Sequence, residues 1–380
     1  MADGDDSATV SCGRRDFTRG CSLRTSMVAD SVVLRGADRL SSAMKDFKQG
    51  SGLEPFVDEA ERLAREAELM EFHREAARYR EHRERKRAAE ESIRDFDPKQ
   101  GGEYYNRFRF IDLTRFDLDE ESPLGPMRFT NAVYKNANDY ELCEGINIFS
   151  VKIGTLDVDF PIYVYGTVIA RDSLDEKCVY LFRRDRDHCQ FINSEDESLI
   201  LTGPKRGLAL ISENYVEIDL KIKDHQGQDK ELSKGILSIR GIERRELERC
   251  ELESGSLSTR LSTVDVMYGV VKDAVEGTIA IEVLQGGFNG KITAHTTSIL
   301  HSLVLYDSQV VGDGIGIIKL MQPVISVYVK DMLVIVAQTS DGTLERTIRF
   351  TPKINGGEEE VITVGVTKMR VKVAWSIMDF

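Results

Sequence analysis

The feature that most constrains the fold is a strict alternation of apolar and charged residues between positions 216 and 223. The apolar members are Val216, Ile218, Leu220 and Ile222, and the charged members between them are Glu217, Asp219, Lys221 and Lys223. Successive side chains of a β-strand point to opposite faces of a sheet, so this alternation predicts a strand with one dry and one wet face. Comparable short segments, rich in β-branched and aromatic residues, fill the stretch from Asp157 to Asp224.

The same alternation recurs toward the C-terminus, most clearly over residues 279–283 and 371–377. The second of these segments contains Trp375, the only tryptophan of the chain, which we predict to lie in the core. The sequence therefore predicts a mainly β fold with two tandem antiparallel β-sandwich-like units, residues 126–245 and 246–380.

Three short matches between these two parts suggest an internal repeat. GTVIA at Gly166 resembles GTIAI at Gly277, and two further pairs follow in the same order at nearly the same spacing. A repeat whose period equals the spacing between Gly166 and Gly277 would give each unit the size of one immunoglobulin-like sandwich.

The N-terminal third of the chain has a different character. Residues 1–50 are polar and lack a sustained hydrophobic period, which predicts a disordered tail. Residues 51–97 are dense in Ala, Glu, Arg and Leu and predict one long charged helix, followed by a linker over residues 98–125. An apolar stripe over residues 56–77 either lies on a neighbouring surface or supports weak self-association as a coiled coil.

Composition narrows the partners and the compartment. The formal net charge of -13 argues against a general nucleic-acid binder, because such binders neutralise phosphates. This argument also weighs against base stacking by the Arg- and aromatic-rich residues 104–116. The six cysteines are scattered, no secretory signal is recognisable, and no apolar run has the length of a membrane span. We therefore expect a cytoplasmic or nuclear protein that is not secreted and has no transmembrane segment.

The sequence offers no constellation typical of catalysis. It contains neither GxSxG nor HExxH, and its six histidines are not arranged as metal ligands. Asp157, Asp159, Asp172 and Asp175 could supply oxygens to calcium, but arginines surround the further acids that such a site would need. We therefore predict no enzyme activity, no cofactor and no metal.

One loop is a candidate for anion binding. GPKRG at Gly203–Gly207 is basic and glycine-rich, but it lacks the spacing of a phosphate-binding P-loop. The candidate cations are Lys205 and Arg206 of this loop together with Arg183 and Arg184 of the preceding charged stretch. If these side chains face one way, they would bind a phosphate or a lipid headgroup.

Several segments in order resemble a family of unknown function from grasses and cereals. They include PMRFTNAVYKNAN, FPIYVYGTVIARDSLD, LTGPKRGLAL, VDVMYGVVKDAVEGTIAIEVLQG and VKVAWSIM, and together they cover about residues 126–378. The resemblance implies a plant protein with one β-rich unit, sometimes found beside a ribosome-inactivating glycosidase domain, and it implies no catalytic residue. The helical string EAARY at Glu75 is similar to part of a glycosidase motif, but it lacks the large lobe that precedes the motif in those enzymes.

These observations predict a non-enzymatic protein-interaction module, with an unknown protein partner in plant stress or defence. One alternative is an anionic lipid- or phosphate-binding β-sandwich of C2-like type. Another is a relative of ribosome-inactivating glycosidases that lacks the catalytic domain.

Overall fold

The computed structural model describes residues 59–224, 227–241 and 247–379. The chain divides into two compact units, Met1–Ala77 and Arg78–Phe380. The predicted disordered tail lies outside the described residues, as do the first eight positions of the predicted helix. Every described strand belongs to the second unit.

Helix α1 comprises Glu59–Ser92 and contains neither glycine nor proline, so nothing in its interior breaks the backbone hydrogen bonds. The predicted helix extends to residue 97, but the structure ends it at Ser92. The next residue, Ile93, is buried, and its carbonyl oxygen accepts a hydrogen bond from the backbone N–H of Asn106 at 2.9 Å. Burial of this β-branched side chain and pairing of its backbone start a hairpin in place of a further helical turn.

Strands follow the helix, numbered in chain order together with the short helix α2. Their bounds are β1 Arg94–Asp97, β2 Gly102–Tyr105, β3 Cys143–Leu156, β4 Ile162–Arg171, β5 Val179–Arg184, β6 Gln190–Ile192, β7 Leu208–Ala209, β8 Glu213–Ile222, β9 Lys230–Arg240, β10 Glu251–Thr259, β11 Ser262–Gln285, β12 Gly290–Thr296, β13 Leu303–Asp307, α2 Ser308–Val311, β14 Ile317–Ile318, β15 Val324–Tyr328, β16 Leu333–Thr339, β17 Glu345–Phe350, β18 Asn355–Val364 and β19 Thr367–Ser376. The pairings between them are antiparallel.

The first sandwich packs a five-stranded sheet against part of an eight-stranded sheet. The five-stranded sheet has the order β5-β4-β8-β9, with β6 paired to β4. Its inner face, which includes Val168 and Ile218, shares one core with Val151 of β3 and Val266 of β11. All four apolar residues of the alternation that ends at Ile222 are buried, which confirms the dry face predicted for β8.

The second sandwich packs a four-stranded sheet, β13-β12-β16-β17, against the rest of the eight-stranded sheet, where β18, β19, β14 and β15 surround β11. Ile279 of β11 lies opposite Val373 of β19, and both enter a second core with Ile335 of β16. Trp375 is fully buried in this core, as predicted, and its indole N–H donates to Glu358 at 3.3 Å.

Strand β11 joins the two sandwiches. The side chains of its first half, such as Val264, belong to the first core, and those of its second half, such as Ile281, belong to the second. Between them the register with β3 shifts from Val271 to Ala274, and Asp273 has a φ of 40°, so the strand changes direction there.

The structure confirms a mainly β fold with antiparallel sheets and one long N-terminal helix. Both β10 and the first half of β11 contribute to the core that contains β4 and β8, so this core draws on residues before and after position 245. The division into units 126–245 and 246–380 stays a prediction, as does the internal repeat.

Candidate functional site

The structure places Arg206, one of the four predicted anion-binding residues, inside the protein. Its guanidinium is fully buried and binds both carboxylate oxygens of Asp172, at 2.6 and 2.9 Å. A third contact reaches Asp175 at 3.3 Å. The paired geometry satisfies the charge of Arg206 internally, so an external anion has no free guanidinium to contact at this position.

Lys205 and Arg183 lie together on the surface around one carboxylate. The Lys205 ammonium contacts Oε1 of Glu121 at 2.8 Å and donates to the carbonyl oxygen of Ser122 at 2.7 Å. The guanidinium of Arg183 lies 3.8 Å from Oε2 of Glu121 and 4.4 Å above the ring of Tyr180. The structure therefore brings two of the predicted cations together.

Arg184 takes no part in this arrangement. Its guanidinium donates to the carbonyl oxygen of His188 at 3.2 Å, within the loop that follows β5. Arg183 pairs in register with Thr167 of β4, whereas Arg184 pairs with Gly166. Neighbouring residues of a strand point to opposite faces, so a single ligand on the sheet face would not contact both.

A cleft of about 250 Å³ opens on the outer face of the five-stranded sheet. Its floor comes from β4, β5, β8 and β9, and its walls come from the end of α1 and the segment after β2. The lining residues are Ser92, Asn106, Arg107, Asp119, Thr167, Ile169, Tyr180, Glu217, Ile218, Asp219 and Lys234. The cleft is therefore polar and carries charges of both signs.

A row of polar side chains crosses the floor of this cleft. Asp219 of β8 lies opposite Thr167 of β4 on one side and opposite Lys234 of β9 on the other. Thr167 in turn lies opposite Arg183 of β5. Tyr180 also lines the cleft, and burial raises the pKa of its hydroxyl above the usual tyrosine value. This row offers donors and acceptors to a small polar ligand.

Glu217 forms the inner wall of the cleft, which the sequence pattern does not indicate. Its Oε1 accepts from Arg171 at 2.9 Å and from the backbone N–H of Phe108 at 2.7 Å. Its Oε2 accepts from Arg171 at 3.0 Å and from Arg107 at 3.4 Å. Alternation in β8 predicts a solvated Glu217, but the segment after β2 covers it and satisfies its carboxylate.

The covering segment belongs to the predicted linker. Phe108 is buried against Tyr215, with 4.9 Å between ring centroids, whereas Phe110 is exposed and stacks on the same Tyr215 at 5.5 Å. The guanidinium of Arg109 lies 4.2 Å from the ring centroid of Tyr105 and 5.2 Å from that of Phe110. The Arg and aromatic residues thus form an exposed ladder beside the cleft.

The next side chains to place are the acids considered for calcium and the cysteine thiols. In the part of the chain that the structure describes, no group of three or more His, Cys, Asp or Glu residues is placed to hold a metal ion. Asp172 and Asp175, two of the four acids considered for calcium, bind Arg206 instead. Cys178 and Cys189 are both free thiols, and burial raises the pKa of Cys143 to about 12.

No described helix combines the length and the apolar character that a membrane crossing requires.

Comparison with known proteins gives one family. Residues 145–373 match the model of a family described as "Domain of unknown function (DUF6598)". Among curated proteins, none matches the chain.

Two of the solved structures to which this chain is similar are as follows. The C2A- and C2B-domains of Extended-Synaptotagmin 2 are 11% identical, with 69% of this chain and 97% of that chain covered and a TM-score of 0.22. Human GIVD cytosolic phospholipase A2 is 10% identical, with 63% of this chain and 33% of that chain covered and a TM-score of 0.20. TM-scores at this level carry no inference about fold or function.

Proposed function

Since the chain belongs to the family described as "Domain of unknown function (DUF6598)", which assigns no activity, we propose that it is a non-enzymatic module that binds another protein. The observation that carries this proposal is the surface of α1. None of the 34 residues of the helix is buried, although Leu63 and Met70 are apolar and are 55% and 59% exposed.

The apolar side chains of α1 form a ridge that suits a partner helix. Leu63, Ala67 and Met70 are spaced by four and three residues, so they lie on one face of the helix. Most of the stability of a helix in a protein comes from burying such a face. Arg74 interrupts the ridge, which limits it to about two turns and favours weak association.

The test compares proteins captured by three forms of the full chain from a grass extract, the source that the sequence resemblance implies. The first is the unmodified chain, and the second carries Leu63→Gln and Met70→Gln. The control carries Glu68→Gln and Glu75→Gln, five and twelve residues from Leu63 and therefore on another side of the helix. Proteins captured by the unmodified chain and the control, but lost from the ridge variant, would support the proposal.

Self-association is measured in parallel by sedimentation velocity over a range of concentrations. If the ridge pairs with a second copy, the weight-average mass of the unmodified chain rises with concentration and that of the ridge variant rises less. If the captured proteins and the sedimentation are the same for all three forms, α1 is not the binding surface and the proposal fails.

A second candidate function is the binding of an anion at Lys205 and Arg183. Two cations around the single carboxylate of Glu121 leave one positive charge uncompensated, and the side chains of Arg183 and Lys205 are 63% and 42% exposed. A phosphate group could bridge them, with a salt-dependent affinity. NMR titration with inorganic phosphate tests this: shifts centred on β5 and Lys205, abolished by Lys205→Ser with Arg183→Ser, would support the site, and their absence would exclude it.

A further inference from the structure

The polar side chains that line the cleft on the five-stranded sheet divide into two groups, and those of its walls are bound to one another. The guanidinium of Arg107 contacts Asp119 at 2.9 Å and Glu217 at 3.4 Å. The side-chain amide of Asn106 donates to Asp95 at 3.2 Å. The charges of the walls are therefore satisfied within the protein.

The side chains of the floor form the second group. Asp219 of β8 is half-buried, and within the described residues its carboxylate forms neither a hydrogen bond nor an ion pair. The hydroxyls of Thr167 and Tyr180 line the same cleft and also have no hydrogen-bond partner in this part of the structure. A half-buried carboxylate has lost part of its hydration, so a ligand that donates hydrogen bonds to it binds favourably.

A positive charge lies directly across the sheet from Asp219. Lys234 of β9 is its partner in register, and opposed residues of neighbouring strands have Cβ atoms about 4.5–5.5 Å apart. The two side chains nevertheless form no ion pair within the described residues. The ammonium of Lys234 approaches Glu231 only to 4.0 Å, and the other oxygen of that carboxylate lies 2.8 Å from the guanidinium of Arg260. The floor thus presents two charges of opposite sign side by side, neither of them well compensated.

The remaining charges of this face define the sign that a ligand must offer on each side. Of the three carboxylates that line the cleft, two bind Arg107, and Asp219 has no cation among the described residues. Lys221 follows Asp219 by two residues on the same face and forms no ion pair in the described structure. On the β5 side, Arg183 contacts Glu121 at 3.8 Å. A complementary ligand therefore has a positive group at Asp219 and a negative group toward the two lysines.

The size of the cleft limits the ligand further. Its volume of about 250 Å³ lies below the range of about 300–1,000 Å³ that is typical of pockets for drug-sized molecules. A small neutral polyol can donate to Asp219, but it displaces water from Asp219 and Lys234 without offering either of them an opposite charge. An α-amino acid has an ammonium and a carboxylate on the same carbon, so it offers each residue a partner of opposite sign.

We propose that the cleft binds a free α-amino acid, with its ammonium at Asp219 and its carboxylate at Lys234 and Lys221. Thr167 and Tyr180 supply further hydrogen bonds to the ligand. This small-molecule site does not rest on the proposed binding of a protein by α1.

The test is isothermal titration calorimetry of the full chain with a panel of protein-forming L-amino acids at millimolar concentration. Two derivatives of the tightest binder each lack one charge: the N-acetylated form has no ammonium, and the amide has no carboxylate. We expect each derivative to bind at least on the order of tenfold more weakly than the amino acid, because each loses a charge-assisted hydrogen bond.

Three variants assign the two charges of the ligand to their partners. Asp219→Asn should remove the preference for the amino acid over its N-acetylated form, and Lys234→Gln with Lys221→Gln should remove the preference over the amide. The control is Asp187→Asn, which removes an 87% exposed carboxylate from the loop after β5 and should keep both preferences.

The ridge variant, Leu63→Gln with Met70→Gln, should bind the amino acid as the unmodified chain does. This result separates the cleft from the surface of α1, so that a failure of one proposal is distinguishable from a failure of the other.

The proposal is overturned if no amino acid binds the unmodified chain, if both derivatives bind as tightly as the amino acid, or if Asp219→Asn keeps the preference over the N-acetylated form. Inositol, a neutral polyol, is titrated in parallel, and binding of inositol but of no amino acid would also overturn it. Circular dichroism verifies the fold of each variant. If Asp219→Asn does not fold, the comparison of the three ligands on the unmodified chain decides.

Discussion

The first sandwich buries two arginines completely, Arg171 and Arg206, each bound to a carboxylate, whereas the second sandwich leaves aliphatic side chains such as Ile317 almost fully in water. The difference follows from what covers each region. Residues 93–122 lie over the outer face of the first sandwich and supply partners for its buried charges. Among the described residues, no segment covers the exposed aliphatic side chains of α2, β14 and the neighbouring turns. We call this group the apolar tip; it comprises Val310, Val311, Ile315, Ile317, Leu344 and Val366.

This comparison separates residues that maintain the fold from residues that are available for binding. A buried ion pair is expensive to form and more expensive to break, so Glu217 and Arg206 are best understood as positioning the covering segment. An exposed aliphatic side chain contributes little to folding, so the apolar tip is free to serve a partner. In this molecule, the buried charges therefore maintain the fold, whereas the exposed apolar side chains remain available for binding.

The largest effect is expected from Glu217→Ala. It leaves the fully buried guanidinium of Arg171 without its carboxylate, and breaking a buried pair in this way costs about 3–5 kcal/mol. The control is Glu282→Ala, which breaks a half-buried pair with Arg370 in which Glu282 stays 42% exposed, and it should cost about 1 kcal/mol. Urea unfolding followed by circular dichroism measures both, and equal losses for the two variants would refute the assignment of Glu217 to the fold.

The same experiment also examines how strongly β11 couples the two sandwiches. Trp375 is the only tryptophan and lies in the second core, whereas Glu217 lies in the first sandwich. If β11 joins the cores cooperatively, Glu217→Ala lowers the midpoint of the tryptophan fluorescence transition as much as that of the circular dichroism transition. A fluorescence midpoint that stays in place would instead show that the second core unfolds alone.

A smaller effect is expected at two neighbouring residues of β14. Ile318 is buried in the second core, and Ile318→Ala should lower the free energy of unfolding by about 2–4 kcal/mol. Ile317, the preceding residue in the chain, belongs to the apolar tip, and Ile317→Ala should change the free energy of unfolding by less than about 0.5 kcal/mol. Denaturant unfolding of both variants measures the contrast, and a comparable loss at Ile317 would make the apolar tip part of the core.

The sequence predicts the strands well because hydrophobic periodicity is a local signal. The alternation over β8 and over β19 can be read within ten residues, and both strands and the burial of Trp375 follow from it. The end of α1 is predicted less well, because Ile93 leaves the helix to pair with Asn106, which lies on the other side of a turn.

The candidate site could not be predicted in the same way, because its pairings join distant positions. Arg206 appears in a basic turn, yet it binds Asp172, 34 residues earlier in the chain. Glu217 occupies a wet position of an alternating strand, yet it is covered by Arg107 and Phe108, more than 100 residues away. The apolar residues of the apolar tip are equally ambiguous in sequence, since Ile317 and Ile318 are identical in type and opposite in burial.

The smallest effect is expected from a histidine of the second sandwich. It tests whether an unpaired charge lowers the free energy of unfolding there, as we expect in the first sandwich. Nδ1 of His295 on β12 is buried without a hydrogen-bond partner in the described structure, and burial together with the nearby Arg349 lowers the pKa of this histidine below 6.5. The unfolded chain then takes up a proton first as the pH falls below about 6.5, so stability decreases until the folded pKa is reached.

The substitution His295→Gln should therefore flatten the pH dependence of the unfolding free energy below about pH 6.5. The control His301→Gln, at an exposed position, should leave this pH dependence as it is in the unmodified chain. Urea midpoints measured at intervals from pH 7.5 down to pH 5 give the two slopes. Equal slopes for both variants would mean that His295 gains solvent or a partner when it is protonated. In that case the second sandwich tolerates an added charge that the first sandwich accepts only as an ion pair.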